Sequence, residues 1–306
     1  SKEDASVVLP GPWHESSCFY MDVYTGECLR VDAETDTLSA AELIQFETEV
    51  MAADAAEVKS FLDHKVFGTT LPTAHCQLRA MSCTWVRKWK WTVIDGKRVR
   101  IVKSRLCVRG FMDPQKHKLT KHSSTASRLT QRLHVSICVQ NDFAIESWDI
   151  SVAFLQGFSF KLLEKILKLM NLPVPPMTRK AYITVPGNVW KHLRDLGFKC
   201  PNTANSHIQW CIELLKAMYG LCDAPLLWQL CLRYFFVYML GSFTSHYDDC
   251  HYYWKSSPSK LLASGTAHVD DCCMGAKQAW LDDCRAKLEK QFGPVKRQVL
   301  PMMHVG

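Results

Sequence analysis

Two adjacent aspartates in an otherwise apolar, strand-like stretch constrain the fold of this chain more than any other feature. The segment from Thr266 to Gly275 reads TAHVDDCCMG, so that apolar and small residues frame Asp270 and Asp271. Side chains alternate along a strand, and neighbouring carboxylates therefore face opposite ways unless a tight turn aims both at one point. The pattern predicts a hairpin with this pair at its tip. The alternative is an acidic surface turn, because Asp is a common turn residue.

A third carboxylate lies in the middle of another apolar stretch. Asp149 is part of ESWDISVAF, in which Trp148, Ile150 and Phe154 indicate a strand that is covered on both faces. A lone carboxylate in such a strand is unfavourable unless it is paired, protonated or bound to a metal ion. A salt bridge to one of the many Lys or Arg residues is the simpler interpretation of Asp149 alone.

The three carboxylates would converge if the strand of Asp149 ended beside the hairpin of Asp270 and Asp271. Converging carboxylates repel each other, and a hard divalent cation such as Mg²⁺ relieves that repulsion. Two such ions can stabilise both the attacking and the leaving oxygen of a phosphoryl displacement. The residues thus predict metal-dependent nucleotidyl transfer or hydrolysis, and leave polymerase and nuclease both open.

A basic, tryptophan-rich segment precedes these strands. In CTWVRKWKWTVIDGKRVRIVKSRLCVRGF two β-rich runs flank Asp95-Gly96, which is a strong hairpin signal. Trp interleaved with Lys and Arg favours a surface that binds nucleic acid. The residues for which we predict this contact are Arg87, Lys88, Trp89 and Lys90. The alternative is a solvated basic hairpin.

Composition narrows the class of protein. The chain has 306 residues, 47% of them hydrophobic, and a formal net charge of +7, which suits a globular protein and mildly favours a polyanionic partner. The 14 cysteines include no CxxC pair, and the N-terminus shows no signal segment. We therefore expect a reduced intracellular compartment, in which most cysteines pack as small apolar residues. The best apolar run, Phe235 to Leu240, is far too short to span a bilayer, and we expect no membrane partner.

Hydrophobic periodicity predicts helices elsewhere. One long or two short helices are expected from Ser39, one after a cap at Ser127 or Thr125, and one from Phe160 to Met170. In the second of these, Leu129, Leu133, Ile137 and Val139 are predicted near one face. Residues 210–240 are predicted to form helix, turn and helix, with Gly220 ending the first helix.

Four segments in this order resemble the reverse transcriptase of copia-type long-terminal-repeat retrotransposons. That family has blocks that look like KARLVARGF, DVxxAFLxG, LxKALYGLKQAPRxW and YVDD. The corresponding segments here are KSRLCVRGF (103–111), DISVAFLQG (149–157), ELLKAMYGLCDAPLLW (213–228) and HVDD (268–271). The similarity runs from about Glu57 to the C-terminus, where LPMMHVG resembles a further block of the family.

The resemblance implies an α+β, right-hand polymerase fold with fingers, palm and a truncated thumb, in which an antiparallel palm sheet packs on helices. Residues 1–40 would be a partly ordered N-terminal lead-in and residues 41–306 the reverse transcriptase domain. The implied subdomains are fingers at about 57–140 and 158–210, palm at about 141–157 and 211–276, and the start of a thumb at 277–306.

The resemblance also implies roles for single residues. Asp149, Asp270 and Asp271 would be catalytic ligands of two Mg²⁺ ions, for which Mn²⁺ is a substitute. Phe154 would lie near the sugar of the bound nucleotide, and Asp223 stands where the family has a nucleotide-holding Gln, so that it brings a negative charge unless it is paired. The full set of residues implied to bind the nucleotide is Lys103, Arg105, Arg109, Phe154 and Asp223.

The function implied by the resemblance is RNA-directed DNA synthesis. The partners would be an RNA or DNA template with its primer, deoxynucleoside triphosphates and other parts of a Pol polyprotein, in a cytoplasmic particle or the nucleus. The family's pattern is altered at Cys222, Asp223, Leu226 and His268. These departures favour, as an alternative, a catalytically inactive remnant that only binds nucleic acid. A third hypothesis is a translated relic that folds poorly.

Overall fold

The computed structural model describes residues 18–21, 28–31, 36–95, 97–173, 179–201 and 208–299. Over these ranges the chain belongs to the mixed α+β class, as the sequence predicts. The strands are β1 Cys18–Met21, β2 Cys28–Val31, β3 Phe67–Pro72, β4 Met81–Ile94, β5 Lys97–Val108, β6 Ala144–Ile150, β7 Ala181–Thr184, β8 Trp210–Leu214, β9 Phe243–Thr244, β10 His251–Ser257, β11 Lys260–His268, β12 Asp271–Ala276 and β13 Val295–Val299. The α-helices are α1 Ala40–Gln45, α2 Glu47–Asp63, α3 Arg128–Gln140, α4 Ala153–Gln156, α5 Phe160–Leu169, α6 Gly187–Asp195, α7 Ala224–Tyr234 and α8 Gln278–Phe292.

Contacts within the chain define two compact units. The first comprises Ser1–Ala53 with Val86–Ser104, and the second comprises Asp54–Trp85 with Arg105–Gly306. In the first unit β1 pairs with β2 in antiparallel fashion. Helix α1 begins at a capping box, in which Ser39 Oγ accepts from the Glu42 amide and the Glu42 carboxylate accepts from the Ser39 amide.

The second unit contains a six-stranded antiparallel sheet in the order β13-β6-β12-β11-β10-β9. One face of this sheet is buried against α7, α8 and the π-helical turn Phe235–Met239. Its core is aromatic, with Trp148, Trp228, Tyr252 and Trp254 almost completely shielded from solvent. Burial of such large side chains is the main stabilising contribution to the sheet that carries the aspartates.

A second sheet has five strands in the order β3-β8-β7-β4-β5. Its core joins strand residues such as Ile183 and Ile212 to residues of α2, α5 and α6, among them Phe61, Leu163 and Leu193. Helix α5 confirms the helix predicted from Phe160, and α1 with α2 confirms the two-helix form of the prediction from Ser39.

The helix–turn–helix prediction for residues 210–240 is wrong in its first half. Trp210–Leu214 is strand β8, which pairs with both β3 and β7. A short apolar run fits a buried helix and a buried strand equally well, and the two neighbouring strands decide between them. The second predicted helix is confirmed as α7.

The apolar side chains that the sequence predicted near one face of α3 do not form its buried face. Leu129, Leu133 and Val139 are exposed, with 77%, 51% and 72% of their surface accessible. The buried face consists instead of Thr130, His134 and Cys138, spaced four residues apart.

The partners of α3 lie on β11, β12 and the loop before β10. His134 Nδ1 is 2.9 Å from Ser264 Oγ, and Thr130 Oγ1 donates to Asp248 Oδ2 at 2.6 Å. At Gly275 an added Cβ would lie 2.1 Å from Cys138 Sγ, so that only glycine lets the helix approach. Polar pairing and one close approach, and not the hydrophobic pattern, therefore determine which face of α3 is buried. The predicted cap at Ser127 is confirmed.

Strand β13 lies next to β6 in the sheet that holds Asp149. The sheet that holds Asp149 therefore continues beyond residue 276. Within the described ranges no helix is long and apolar enough to cross a membrane. Most of the lead-in at 1–40, Gly96 of the predicted hairpin turn, Pro175, Pro176 and the LPMMHVG block fall outside the described residues.

Candidate active site

The hairpin predicted at the aspartate pair is confirmed. Strands β11 and β12 pair as far as His268 and Asp271, and Val269 with Asp270 forms the two-residue turn between them. Val269 has φ of 57°, a strained conformation for a β-branched residue. The buried Trp228 holds the turn, because its Nε1 donates to the Val269 carbonyl at 2.7 Å. The surrounding structure thus fixes the tip on which Asp270 lies.

Asp149 and Asp271 are direct cross-strand partners on β6 and β12. Partners in an antiparallel pair place their side chains on the same face and within contact range. The Ile150 amide donates to the Asp270 carbonyl at 3.0 Å, which brings the turn against the end of β6. The structure therefore gathers the three predicted carboxylates at one end of one sheet.

The backbone after Asp149 is strained as well. Val152 has φ of 50° and ψ of 32°, and it begins the short helix α4. Strain of this kind persists only where the surrounding structure over-determines it, and it is concentrated at functional sites. Two β-branched residues in the left-handed region flank the carboxylates, one after β6 and one before β12.

The ionised forms of Asp270 and Asp271 are electrostatically unfavourable at their positions. Burial raises the pKa of Asp271, and the charges of Asp270 and Asp149 raise it further. Burial also raises the pKa of Asp270, with a smaller contribution from Asp149, although the backbone of Asp270, Arg105 and His268 act in the opposite direction. A bound cation would favour the ionised form of both groups.

Lys296 is the nearest partner of Asp149. Its Nζ lies 3.0 Å from Asp149 Oδ2, and the two residues are opposite each other on β13 and β6. This is the salt bridge that the sequence offered as an alternative for Asp149. The Lys296 side chain is 61% exposed, so it can move away from the carboxylate at little cost. Sequence reasoning missed Lys296, which stands in the alternating basic segment VKRQV.

The carboxylate oxygens of the three aspartates are of the chemical type that binds a hard cation. Among the described residues, no group of three or more His, Cys, Asp or Glu side chains is placed so that it could hold a metal ion. Asp149, Asp270 and Asp271 nevertheless offer only carboxylate oxygens, which are the ligands that Mg²⁺ and Mn²⁺ prefer. A bound cation would lower the raised pKa values of Asp270 and Asp271.

An aromatic and cationic group lies beside the carboxylates. The Arg105 guanidinium is 5.4 Å from the centre of the Tyr219 ring, and Phe154 meets the same ring edge-on at 5.7 Å. Burial and, after it, the charges of Glu57 and Asp270 raise the pKa of Tyr219 to about 12, while Arg105 acts in the opposite direction. Sequence reasoning missed Tyr219, although it stands in the third block directly before Gly220.

Gly220 fixes the position of Tyr219 through a close crossing of two backbones. The Val108 amide donates to the Tyr219 carbonyl at 2.8 Å. Gly220 has φ of 93°, and a Cβ there would lie 2.0 Å from the Val108 carbonyl oxygen. Glycine is required on both counts. Gly220 was expected to end a helix, whereas it allows the segment before α7 to cross the end of β5.

The basic residues of the first block are exposed. Lys103, Arg105 and Arg109 face solvent, while the apolar residues that neighbour them along the chain, Val102, Leu106 and Val108, are buried. This alternation is that of a strand with one polar face. Arg105 and Arg109 belong to the second unit with the carboxylates, whereas Lys103 belongs to the first.

Asp223 is buried and paired. Its carboxylate accepts from Arg179 Nε at 2.8 Å, and both side chains are only 4% exposed. The same guanidinium donates to Asp113 at 2.6 Å and to Gln115 at 3.0 Å. The pairing meets the condition under which Asp223 brings no uncompensated negative charge to a triphosphate.

The predicted basic hairpin is confirmed as β4 and β5. Lys88 and Lys90 are exposed and Arg87 is half-buried. Trp89 belongs to the small core of the first unit: its Nε1 donates to Glu42 at 3.0 Å, and Arg100 lies 4.5 Å from its ring centre. One ring face of Trp89 is thus covered by a cation, whereas Trp91 is 53% exposed.

No protein-family model matches this chain, and no curated protein matches it.

Proposed function

We propose that this protein is the RNA-directed DNA polymerase domain of a copia-type retrotransposon, with a right-hand polymerase fold. The observation that carries the proposal is the convergence of Asp149, Asp270 and Asp271 at one end of an antiparallel sheet. Asp270 lies there on a strained two-residue turn. The order of the four sequence blocks supports it. Other parts of a Pol polyprotein would be its partners in the parent element.

Asp149, Asp270 and Asp271 would hold two Mg²⁺ ions, or Mn²⁺ in their place. Bound there, the ions would lower the pKa of a primer 3′-hydroxyl and neutralise charge on the triphosphate and the departing pyrophosphate. The chain's own contribution is to fix the carboxylates on two paired strands before the ions arrive. Lys296 would leave Asp149 for the solvent when a cation binds.

The residues around Tyr219 suit an incoming deoxynucleoside triphosphate. Arg105 provides an exposed guanidinium for phosphate oxygens. The rings of Phe154 and Tyr219 stand edge to face and would border the sugar, where a 2′-hydroxyl would have to displace one of them. Arg109, which belongs to the same unit as the carboxylates, would add positive charge for the triphosphate.

The exposed lysines of the β4–β5 hairpin suit the phosphates of a template and primer. Binding of this kind depends on charge and not on base sequence. It weakens as the salt concentration rises, because the release of counterions from the phosphates then contributes less free energy. Lys88, Lys90 and Trp91 are the exposed residues that would make these contacts, together with Arg87.

Primer extension on an RNA template with Mg²⁺ or Mn²⁺ tests the proposal. The parent chain should extend the primer and Asp270→Asn should not, while both bind the primer–template equally. Asp142→Asn is the matched control, because Asp142 is an exposed carboxylate paired with Lys277 away from the turn. It makes the same chemical change and should extend normally.

Equal extension by the parent and Asp270→Asn would refute the assignment of the carboxylates. Binding that weakens with salt, without extension by any variant, would instead identify a catalytically inactive protein that only binds nucleic acid. The pairing of Asp149 with Lys296 is the observation that favours this second candidate, since an ammonium group already neutralises the first carboxylate.

A further inference from the structure

Two thiols that are far apart in the sequence meet in the second unit. Cys76 Sγ and Cys211 Sγ are 2.8 Å apart, although 135 residues separate them along the chain. A disulfide bond is about 2.05 Å long, and two sulfur atoms without a bond between them normally stay much farther apart than 2.8 Å. The two sulfur atoms therefore already face each other.

Three features of the backbone bring the thiols together. Leu71 on β3 is the cross-strand partner of Cys211 on β8. After β3 the chain makes a 3₁₀ turn, Thr73–His75, which carries Cys76 back toward β8. The Thr73 amide donates to the Gln209 carbonyl at 2.8 Å and ties the start of this turn to the segment before β8.

The two cysteines differ in their access to solvent. Cys76 is half-buried at the surface end of the pair, while Cys211 is completely buried behind it. Burial raises the pKa of the Cys211 thiol, and the contact with Cys76 raises it further. A soluble oxidant would therefore reach Cys76 first, and Cys211 would act second.

We propose that Cys76 and Cys211 form a reversible disulfide that links the turn after β3 to strand β8 when the protein meets a peroxide. Hydrogen peroxide transfers one oxygen to Cys76 Sγ as its O–O bond breaks, and one water leaves. Cys211 Sγ then bonds to Cys76 Sγ, the S–O bond breaks, and the departing hydroxide takes the Cys211 proton as a second water. A thiol reductant such as glutathione reverses the step. The proposal does not depend on the polymerase assignment.

Peptide mapping of the native full chain tests this proposal. The protein is treated with hydrogen peroxide, the remaining thiols are blocked, and the digest is analysed by mass spectrometry without reduction. We expect a linked peptide pair that contains Cys76 and Cys211 and that disappears after reduction. Cys76→Ser should abolish this pair, whereas Cys200→Ser, which changes another half-buried cysteine, should leave it intact.

Thermal unfolding provides a second readout. Closing so long a loop restricts the unfolded chain, and oxidation should raise the Tm of the parent by up to about 10 °C. The rise should be absent in Cys76→Ser. Three outcomes would each overturn the proposal. In the mapping experiment they are recovery of both cysteines as separately blocked thiols, or sulfinic acid at Cys76 with the Cys211 thiol still free. In the melting experiment it is an equal rise in Tm in Cys76→Ser. Because Cys76 is half-exposed, its variant should fold without disturbing the core.

Discussion

Replacement of Arg179 by methionine should be one of the most destabilising single changes in this protein. The guanidinium lies between the carboxylates of Asp113 and Asp223, with contacts of 2.6 and 2.8 Å, and the three side chains are 4%, 0% and 4% exposed. Arg179→Met keeps most of the aliphatic stem but leaves two buried carboxylates without a cation. Loss of one partner from a buried pair costs about 3–5 kcal/mol, so we expect at least that loss in the free energy of unfolding.

Urea unfolding followed by tryptophan fluorescence measures this loss. Arg233→Met is the matched control, because the Arg233 guanidinium is 3.7 Å from Asp249 and the two side chains are 31% and 60% exposed. That pair should contribute no more than about 1 kcal/mol. Asp223→Asn added to Arg179→Met should restore part of the stability, since it removes one uncompensated charge. A parent-like unfolding midpoint for Arg179→Met would refute the reasoning.

Two further changes have clear expected outcomes. Gly220→Ala should lower the free energy of unfolding by roughly 1–3 kcal/mol or more, because its Cβ would meet the Val108 carbonyl at 2.0 Å, whereas Gly187→Ala, which has open space, should be nearly neutral in the same urea titration. Asp271→Asn should be more stable than the parent near pH 7 in a chelator, because the folded-state pKa of Asp271 is raised and ionisation therefore disfavours folding as pH rises. The advantage should vanish near pH 3, below the unfolded pKa of about 3.9, and a constant advantage across this range would contradict the assigned cause.

Local sequence signals predicted the elements of the candidate site well. The pair Asp270-Asp271 between apolar runs indicated a hairpin, and the apolar residues around Asp149 indicated a buried strand; both are present. Each signal depends on neighbours within a few residues, where backbone geometry leaves few alternatives. The same holds for the cap at Ser127 and for helix α5.

Sequence reasoning failed where residues far away along the chain determine the local structure. Periodicity predicted Leu129 and Leu133 near one face of α3, but these residues are exposed, because Ser264 and Asp248 pair with the buried His134 and Thr130. Similarly, Trp210–Leu214 is a strand because β3 and β7 lie on either side of it. The partner of Asp223 could not be read from the sequence either, because Arg179 is 44 residues away along the chain.

The sequence by itself determined which residues are carboxylates on strands and which are basic residues on an exposed face. Its periods and turn residues are local properties of the backbone, and they survive in the folded chain. Only the tertiary structure decided that Asp149 lies opposite Asp271, that Lys296 pairs with Asp149 and that Cys76 meets Cys211. These contacts depend on strand order and on close approach between remote segments, which no local pattern of residues encodes.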